Sequence, residues 1–307
     1  MKGNIKIFSL LEALRPSQWI KNLSLFAAVI LNGQLFNLES LVPSILAFVT
    51  FCFLSSSSYL VNDILDKDKD IQHPYKKNRP IARGDVSTTV ATFASFFLLF
   101  TGLGIAMIIS SEFFFISLLF IILQYSYSFF FKKKAVVDIA GISLFFIIRA
   151  FAGEIASGYH LPIWIMLTVI FLSLFIASGK RRSELINSGK KTRAALSGYG
   201  RSLLNFYTTM FAVCTLIGYS MYAFFEDKLK FQGIIHEFLL DNFPAAIDRK
   251  WYMLSIIPVI YGIMRYGQII FEMQEGERPE RAIATDIPLI ISVLSWGLMI
   301  ITIIYVL

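Results

Sequence analysis

Four aspartates lie within eight residues at the end of an apolar run, in residues 62–70. If a helix continues through this segment, Asp63, Asp66 and Asp70 share one face, with Asn62 beside Asp66. Like charges on one helical face repel each other, so a bound cation would stabilise them. Mg²⁺ prefers carboxylate oxygens and completes its coordination with water and substrate phosphates. The segment therefore predicts a magnesium site formed by Asn62, Asp63, Asp66 and Asp70, with a solvated acidic helix end as the alternative.

Basic residues follow this acidic segment closely in the sequence. Lys76, Lys77 and Arg79 come within ten residues of the last aspartate. Guanidinium and ammonium groups bind phosphate oxygens well, arginine in a bidentate manner. Cations beside an acidic face suit a complex of magnesium with a diphosphate better than a metal ion alone.

The elements that must hold these residues are hydrophobic. Of the 307 residues, 56% are hydrophobic and 16% charged, with a mean hydropathy of +0.66. This composition excludes an ordinary soluble protein, and apolar runs near the membrane-spanning length of ~20 residues recur along the chain. We predict an all-α, polytopic membrane protein with nine transmembrane helices and a single domain over residues 1–307. The runs cover residues 19–36, 41–61, 88–109, 113–131, 136–157, 161–178, 203–225, 251–270 and 285–306.

The distribution of basic residues predicts the orientation of these helices. If the N-terminus is cytoplasmic, the inner segments hold 23 of the 28 lysines and arginines and the outer loops hold four. Short basic segments tend to stay on the cytoplasmic side. We therefore expect a multi-pass protein of the inner or plasma membrane with its N-terminus and its chemistry in the cytoplasm. Because the charges are divided among short loops, they do not indicate nucleic-acid binding.

The acidic segment resembles a known family motif. Asn-Asp-x-x-Asp-x-x-x-Asp at residues 62–70, followed by Arg79-Pro80, is similar to the first aspartate-rich motif of the UbiA superfamily of intramembrane transferases. The resemblance extends over essentially the whole chain. It implies a UbiA-type bundle of nine helices whose active site faces the cytoplasm.

Other segments resemble one branch of that superfamily. Prenyl-transferring members usually carry a second aspartate-rich motif after the sixth helix, but residues 178–185 here contain three cations and one carboxylate. Such a segment suits additional phosphate rather than a second metal ion. Residues 15–22 are similar to the Arg-Pro-x-Gln-Trp-x-Lys-Asn signature of the decaprenyl-phosphate phosphoribosyltransferase branch. The stretch from Arg265 to Asp286 is similar to that branch as well.

This resemblance implies a magnesium-dependent transfer of a 5-phosphoribosyl group from phosphoribosyl diphosphate to a polyprenyl phosphate. Diphosphate would be released, and the lipid-linked phosphoribose would serve cell-envelope glycan synthesis. The expected partners are these two substrates and the membrane, and a homo-oligomer is compatible with the sequence.

The resemblance also implies roles for individual residues. Asp63, Asp66 and Asp70 would be catalytic by holding magnesium against the diphosphate. Arg79 would contact the diphosphate, and Lys21 with Asn22 would reach the donor from the first helix. The full set of expected substrate-binding residues is Lys21, Asn22, Asn62, Arg79, Lys134, Arg149, Lys180, Arg181 and Glu184.

Some of these residues have structural alternatives. The lysine run 132–134 also fits a positive-inside stop at a helix end, and one of its members could still contact phosphate. Arg149 lies inside an apolar run, where ionisable side chains rarely face lipid. It could hold the lipid phosphate or pair with Glu154 in a structural ion pair.

Two other functions compete with the phosphoribosyl transfer. A UbiA-type prenyltransferase that moves a prenyl group from its diphosphate to an aromatic acceptor would share the first motif and the fold. A transporter could use the acidic segment as a cation gate, but it would need charges along a midplane pathway. Most charges in this chain fall at the predicted helix ends.

Overall fold

The computed structural model describes residues 2–72, 76–188, 194–226 and 233–307 of the chain. These ranges contain helices joined by short connections and no β-strand. The α-helices are α1 Lys2–Leu14, α2 Ala27–Leu31, α3 Leu38–Leu65, α4 Lys67–Ile71, α5 Pro80–Arg83, α6 Thr88–Ile109, α7 Ser111–Phe129, α8 Val137–Ser157, α9 Ile163–Ser188, α10 Arg201–Phe225, α11 His236–Asn242, α12 Pro244–Ile247, α13 Ile256–Phe271, α14 Pro279–Thr285 and α15 Ile287–Ile301. Tighter 3₁₀ segments occur at Pro16–Phe26, Lys76–Asn78, Phe131–Lys133, Ala194–Gly198 and Trp251–Ser255, and a π turn at Thr302–Val306.

Eight helical stretches in the described ranges are long and apolar enough to cross a membrane. They are Leu38–Leu65, Thr88–Ile109, Ser111–Lys133, Val137–Ser157, Ile163–Asn187, Arg201–Phe225, Trp251–Phe271 and Ile287–Val306. Each corresponds to one predicted apolar run, from the second to the ninth. The all-α, multi-pass architecture predicted from the sequence is therefore confirmed.

The first predicted span differs from the prediction. Instead of one helix over residues 19–36, the chain forms the 3₁₀ segment Pro16–Phe26 followed by the short helix α2. Eleven residues at ~2.0 Å and five at ~1.5 Å give about 30 Å, close to the thickness of the hydrocarbon core. The count of nine is thus approximate, because eight long helices are joined by this composite element. Gly33, with φ of 70°, follows at the turn into α3.

The two termini lie at opposite ends of the bundle. Helix α1 sits beside the C-terminal end of α3 and contacts α5, whose last residue, Arg83, donates from its guanidinium to Glu12 Oε2 at 3.0 Å. At the other end, the Tyr305 hydroxyl donates to the Ile30 carbonyl at 2.9 Å. The end that carries α1 also carries the aspartates, and we call it the α1 end.

Phenylalanine side chains pack α3, α7 and α8 against one another. The Phe51 and Phe120 rings are fully buried, with centroids 4.7 Å apart, and join α3 to α7. Phe120 also meets Phe145 of α8 edge to face at 6.0 Å. Aromatic pairs of this kind add about 0.5–1.5 kcal/mol beyond burial alone. This cluster fixes the relative positions of α3, α7 and α8, which carry Asp63, Tyr127 and Asp138 at the α1 end.

A glycine sets the position of the first segment. A Cβ on Gly153 of α8 would lie 2.4 Å from the Leu25 carbonyl oxygen, so only glycine permits this approach of backbone to helix. The close packing holds Pro16–Phe26 between α3 and α8. Polar residues of this segment are thereby placed next to polar residues of both helices.

Helix α9 is longer than its apolar run predicts. The run ends at residue 178, but the helix continues to Ser188. Lys180, Arg181 and Glu184 therefore lie on the last turns of the helix and not in a loop. The helix continues because the charged side chains of these turns find partners on neighbouring elements. Ile270 of α13 packs so closely on α9 that a Cβ on Gly179 would lie 2.4 Å from it.

Candidate active site

The aspartates lie at the break between α3 and α4. Helix α3 ends at Leu65 and α4 begins at Lys67, with Asp66 between them at φ −94° and ψ 4°. The backbone N–H of Asp66 still donates to the Asn62 carbonyl at 3.0 Å, and that of Asp70 donates to the Asp66 carbonyl at 2.8 Å. The predicted continuous helix is therefore slightly broken, but the helical spacing of the carboxylates persists.

Two arginines hold the buried aspartates together. The Asp63 carboxylate accepts from Arg15 Nη2 at 2.5 Å and from Arg79 Nη1 at 2.9 Å. Arg79 Nη1 also reaches Asp70 Oδ2 at 2.6 Å, which confirms that Asp63 and Asp70 share a face. The side chains of Asp63 and Asp70 are only 2% and 4% exposed. Burial raises the pKa of Asp70, and the charge of Arg79 opposes this shift.

Arg15 was not among the site residues expected from the sequence. It directly precedes the first 3₁₀ segment and adopts a left-handed backbone with φ of 56°. Its guanidinium carbon also lies 5.1 Å from the centroid of the Tyr59 ring on α3. The signal that could have identified it is its place at the start of the signature in residues 15–22.

The third aspartate has a separate partner from the lysine run. Lys132 Nζ lies 3.1 Å from Asp66 Oδ2 and 3.3 Å from Asn62 Oδ1. Lys134, the lysine of this run predicted to bind substrate, is exposed, and its carbonyl accepts from the Asp138 N–H at 3.0 Å. The structure therefore brings Lys132, and not Lys134, to the acidic segment.

The acidic segment can accept a magnesium ion without a preformed cage. No group of three or more acidic, histidine or cysteine side chains in the described ranges converges on one point. However, Asp63, Asp66 and Asp70 each contact their cationic partners through a single oxygen. Their second oxygens have no hydrogen-bond partner within the described part of the chain. Since Mg²⁺ usually takes one or two carboxylates together with water and phosphate, this donor set fits it.

A second polar group joins α7, α8 and α9. The Tyr127 hydroxyl donates to Asp138 Oδ1 at 2.6 Å, and Arg181 Nη2 reaches the same oxygen at 3.0 Å. Arg181 also forms ion pairs with the other Asp138 oxygen and with Glu184. The Arg181 side chain is 1% exposed. Arg181 is therefore enclosed by two carboxylates, and its partners hold the end of α9 against the start of α8.

The start of α8 is strained. Val136, its N-cap, has φ of 67°, a conformation that costs a β-branched residue of order 1–3 kcal/mol. Its N–H donates to the buried Tyr199 hydroxyl at 2.6 Å. Burial raises the pKa of Tyr199 to about 12, so this hydroxyl stays protonated. The turn places Asp138 within reach of Arg181.

A third polar group joins α9, α14 and the first segment. Lys21 Nζ lies 3.5 Å from Glu280 Oε2 and 2.5 Å from Gln18 Oε1. The Glu280 side chain is 13% exposed. Burial by itself would raise the pKa of Glu280, but the charges of Lys21 and Lys180, with a hydrogen bond from Gln18, lower it to about 2. Glu280 is thus an ionised carboxylate that pairs with Lys21 and is stabilised by the charge of Lys180.

Arg182 links the end of α9 to two neighbouring helices. Its Nε donates to Asn205 Oδ1 at 2.7 Å and its Nη1 to the Ile270 carbonyl at 2.7 Å. The guanidinium also stacks on the Phe271 ring at 4.1 Å. These contacts attach α9 to α10 and to the end of α13, from which the chain continues to Glu280.

Arg149 lies deeper in the bundle. Its Nε donates to Asn22 Oδ1 at 2.7 Å, and the Asn22 amide donates to Cys52 Sγ at 3.3 Å. The possible ion pair with Glu154 is not formed, because Glu154 Oε1 accepts from the Leu161 N–H at 2.6 Å near the opposite end of α8. Asn22 therefore faces Arg149 and α3, and only Lys21 of this pair reaches the α1 end.

These groups form a polar ring at the α1 end. Its contacts lead from the first segment to α3 and α4, then to the turn after α7, to α8 and to α9. The charge of Lys180 on α9 acts on Glu280 of α14, and Lys21 returns from Glu280 to the first segment. The ring consists of Arg15, Asp63, Asp66, Asp70, Arg79, Lys132, Tyr127, Asp138, Arg181, Lys180, Glu280 and Lys21. Asp63, Asp66 and Asp70 all lie on its α3–α4 side, each beside a cation, and Lys21 and Lys180 belong to its α9–α14 side. Such a ring can bind a ligand that carries anionic groups at both ends.

Known proteins resemble this chain in sequence and in fold. A profile of the UbiA prenyltransferase family matches residues 23–229. Decaprenyl-phosphate phosphoribosyltransferase of Corynebacterium glutamicum is 32% identical over 97% of this chain and 87% of that protein. The protein of the same name from Mycolicibacterium smegmatis is 35% identical over 94% and 90%, respectively. The structure of a UbiA homolog from Archaeoglobus fulgidus bound to GPP and Mg²⁺ superposes with a TM-score of 0.68, at 21% identity, over 96% of this chain and 99% of that one.

Proposed function

Since the chain belongs to the UbiA prenyltransferase family, we propose that it transfers a 5-phosphoribosyl group from phosphoribosyl diphosphate to a polyprenyl phosphate. The names of its relatives in Corynebacterium glutamicum and Mycolicibacterium smegmatis support this reaction. The Mg²⁺ in the related Archaeoglobus fulgidus structure supports a divalent cation as cofactor.

The observation that carries the proposal is that three aspartates lie on one side of the ring, while Lys21 and Lys180 belong to the other. One side presents Asp63, Asp66 and Asp70 with Arg79, and the other presents Lys21 and Lys180. A prenyl diphosphate has a single anionic group and an apolar tail, so it would leave the second side unused. Phosphoribosyl diphosphate has a diphosphate at C1 and a phosphate at C5, and therefore suits both sides.

The acidic side would bind the diphosphate through magnesium. Asp63, Asp66 and Asp70 offer one carboxylate oxygen each, and Asn62 offers its amide oxygen as ligand or as an orienting group. Magnesium bound there neutralises charge on the leaving diphosphate. Arg79 already touches two of the carboxylates and would contact the diphosphate oxygens next to them.

The lysine side would bind the 5-phosphate. Lys21 pairs with Glu280 at 3.5 Å, and the charge of Lys180 on α9 acts on the same carboxylate, so both lysines would attract a phosphate to this side of the ring. Arg181 and Glu184 support that region from α9, where Arg181 fixes the helix end through Asp138. Asn22 connects the first segment to α3, and Lys134 stays a prediction as a peripheral phosphate contact.

The reaction exchanges one C–O bond for another. A phosphate oxygen of the lipid forms a bond to ribose C1, while the bond from C1 to the diphosphate oxygen breaks and its electron pair leaves with the diphosphate. The ribosyl centre carries positive charge in the transition state, so electrostatic positioning is the main contribution of the protein. An ionised phosphate needs no deprotonation, and no general base is required.

We place the α1 end in the cytoplasm. That end receives most of the basic residues, which favours the cytoplasmic side of an inner or plasma membrane. Phosphoribosyl diphosphate is a soluble, highly charged molecule and would reach the ring from water. The polyprenyl chain of the acceptor would stay in the bilayer against the apolar faces of the helices.

The test is diphosphate release by detergent-purified protein supplied with phosphoribosyl diphosphate, Mg²⁺ and a polyprenyl phosphate. We expect release that requires both the lipid phosphate and Mg²⁺, with a lipid product heavier by one phosphoribosyl group. Asp63→Ala should abolish it. Turnover of a prenyl diphosphate with an aromatic acid, without any phosphoribosyl lipid, would overturn the proposal in favour of prenyl transfer.

A further inference from the structure

Arg149 is a buried charge without a buried counter-charge. It lies in the membrane-spanning helix α8 and is 3% exposed. Its partners are the Asn22 amide oxygen at 2.7 Å, the Phe145 carbonyl at 2.9 Å and the Ser55 hydroxyl at 3.5 Å. All three are neutral. Within the described ranges, no carboxylate contacts this guanidinium.

Two N–H groups of the Arg149 guanidinium have no acceptor among the described residues. An arginine offers five N–H groups, and three of them have acceptors here. The Phe120 ring lies 4.9 Å and the Phe146 ring 5.8 Å from the guanidinium carbon, which adds two weakly attractive faces. A charged side chain at this depth costs several kcal/mol unless an anion or a water-filled cavity compensates it. Two other arginines of the described residues are as deeply buried: Arg181 has two carboxylates, and Arg182 lies at the end of α9 with the Asn205 amide oxygen and the Ile270 carbonyl as its acceptors.

The position of Arg149 relative to the acidic segment is defined by α3. Ser55 precedes Asp63 by eight residues, which is about 12 Å along a helix. Tyr59 lies midway between them, and the Arg15 guanidinium that bonds Asp63 rests on its ring. Arg149 is therefore on the membrane side of the ring, about two helical turns from Asp63.

We propose that Arg149, with Ser55 and Asn22, binds the phosphate group of the polyprenyl phosphate acceptor. The inference rests on the proposed function for the identity of the lipid. A dianionic phosphate would supply the missing counter-charge, and its oxygens would accept hydrogen bonds from the two remaining N–H groups of Arg149. The lipid enters from the bilayer, so its phosphate meets the bundle below the water-facing ring, on the side where Arg149 lies. The phosphate then approaches ribose C1 from the membrane side, opposite the leaving diphosphate.

The test compares three variants. Arg149→Gln removes the charge and Arg149→Lys keeps it without the planar fork. Arg265→Gln serves as the control, because Arg265 is also an arginine of a membrane-spanning helix but pairs with Asp286 at 2.7 Å. For each variant we would measure KM for both substrates, and the shift in Tm on addition of polyprenyl phosphate, of uncharged polyprenol, or of phosphoribosyl diphosphate with Mg²⁺.

We expect Arg149→Gln to raise the KM of the lipid acceptor at least tenfold, with the KM of the donor changed less than twofold. The stabilisation by polyprenyl phosphate should disappear, while that by phosphoribosyl diphosphate with Mg²⁺ persists. Arg149→Lys should fall between Arg149→Gln and the parent protein, and Arg265→Gln should behave like the parent in both KM values. Polyprenol should not stabilise any of the proteins.

Two outcomes would overturn the inference. One is an unchanged acceptor KM and unchanged lipid stabilisation in Arg149→Gln. The other is a lower Tm in that variant without a selective change in the acceptor KM or in the stabilisation by polyprenyl phosphate. That result would mean that Arg149 has only a structural role. The proposed function fails in a different way. If the parent protein transfers no phosphoribosyl group, the proposed function is wrong. If polyprenyl phosphate still stabilises that protein in an Arg149-dependent way, the lipid site is supported and only the proposed donor is contradicted.

Discussion

Lys21 Nζ lies 3.5 Å from Glu280 Oε2, although the two residues come from the first and the last quarter of the chain. This contact closes the polar ring, because it returns from α14 to the segment that begins beside Arg15. The first segment and α14 therefore contribute to one site.

Glu280 should make folding stability depend on pH. Its pKa is lowered to about 2 in the folded protein, so its contribution is fully present above the unfolded value near 4.3 and is lost as pH falls toward 2. The shift corresponds to about 2–3 kcal/mol. Glu280→Gln should therefore have a lower Tm than the parent protein at pH 7, and the difference should shrink between pH 5 and pH 3. Thermal unfolding in detergent across this pH range measures it.

A matched control for that experiment is Glu12→Gln. Glu12 also pairs with an arginine, but its side chain is 55% exposed. An exposed pair contributes little, so the Tm of this variant should follow the parent at every pH. A constant difference between Glu280→Gln and the parent down to pH 3 would show that Glu280 is not held ionised by the two lysines.

The acidic segment offers a test with an internal control. Asp63 is buried and is proposed to hold magnesium, whereas Asp68 is exposed in the same segment. Asp63→Asn should lower kcat at least about a hundredfold and raise the Mg²⁺ concentration needed for half-maximal rate, because it removes one charged ligand. Asp68→Asn should leave both unchanged. Equal losses in the two variants would indicate that the segment acts only through its total charge.

Arg15 should contribute to donor binding. It contacts Asp63 at 2.5 Å and stands where a diphosphate bound to the aspartates would lie. Charged hydrogen bonds are worth about 1.5–3 kcal/mol, so Arg15→Gln should raise the KM of phosphoribosyl diphosphate roughly tenfold or more. Arg83→Gln is the control, since Arg83 lies at the surface of the same end, with Glu12, Asp85 and the Asn78 carbonyl as its acceptors. Isothermal titration with the donor and Mg²⁺ would measure the affinity of the two variants for the donor. An unchanged affinity in Arg15→Gln would contradict this role.

Gly153 should be intolerant of a methyl group. The added Cβ would lie 2.4 Å from the Leu25 carbonyl oxygen, and a backbone atom cannot move away easily. Overpacking of this kind costs about 1–3 kcal/mol, so Gly153→Ala should lower the Tm and displace the first segment with Lys21. Gly104→Ala, where nothing lies within 4 Å, should be neutral or slightly stabilising. A Gly153→Ala protein with the parent's Tm and donor KM would refute the close packing.

The amino-acid sequence by itself determined the architecture. Apolar runs of membrane-spanning length identify α3, α6 and the later long helices, because a bilayer requires each crossing to be apolar and internally hydrogen-bonded. The spacing of Asp63, Asp66 and Asp70 also followed from the sequence, since helical periodicity is local. The first span was less predictable, because polar residues and Pro16 favour a 3₁₀ segment over a regular helix.

Only the tertiary structure decided which charges meet. Lysines 132 and 134 are equivalent in the sequence, yet only Lys132 reaches Asp66, because the turn after α7 aims it toward α3. Glu280 and Lys21 are brought together by packing between distant elements, and Arg149 is separated from Glu154 by the direction of its side chain. Pairing of this kind depends on how helices approach each other in space. Periodicity along one helix carries no information about its neighbours.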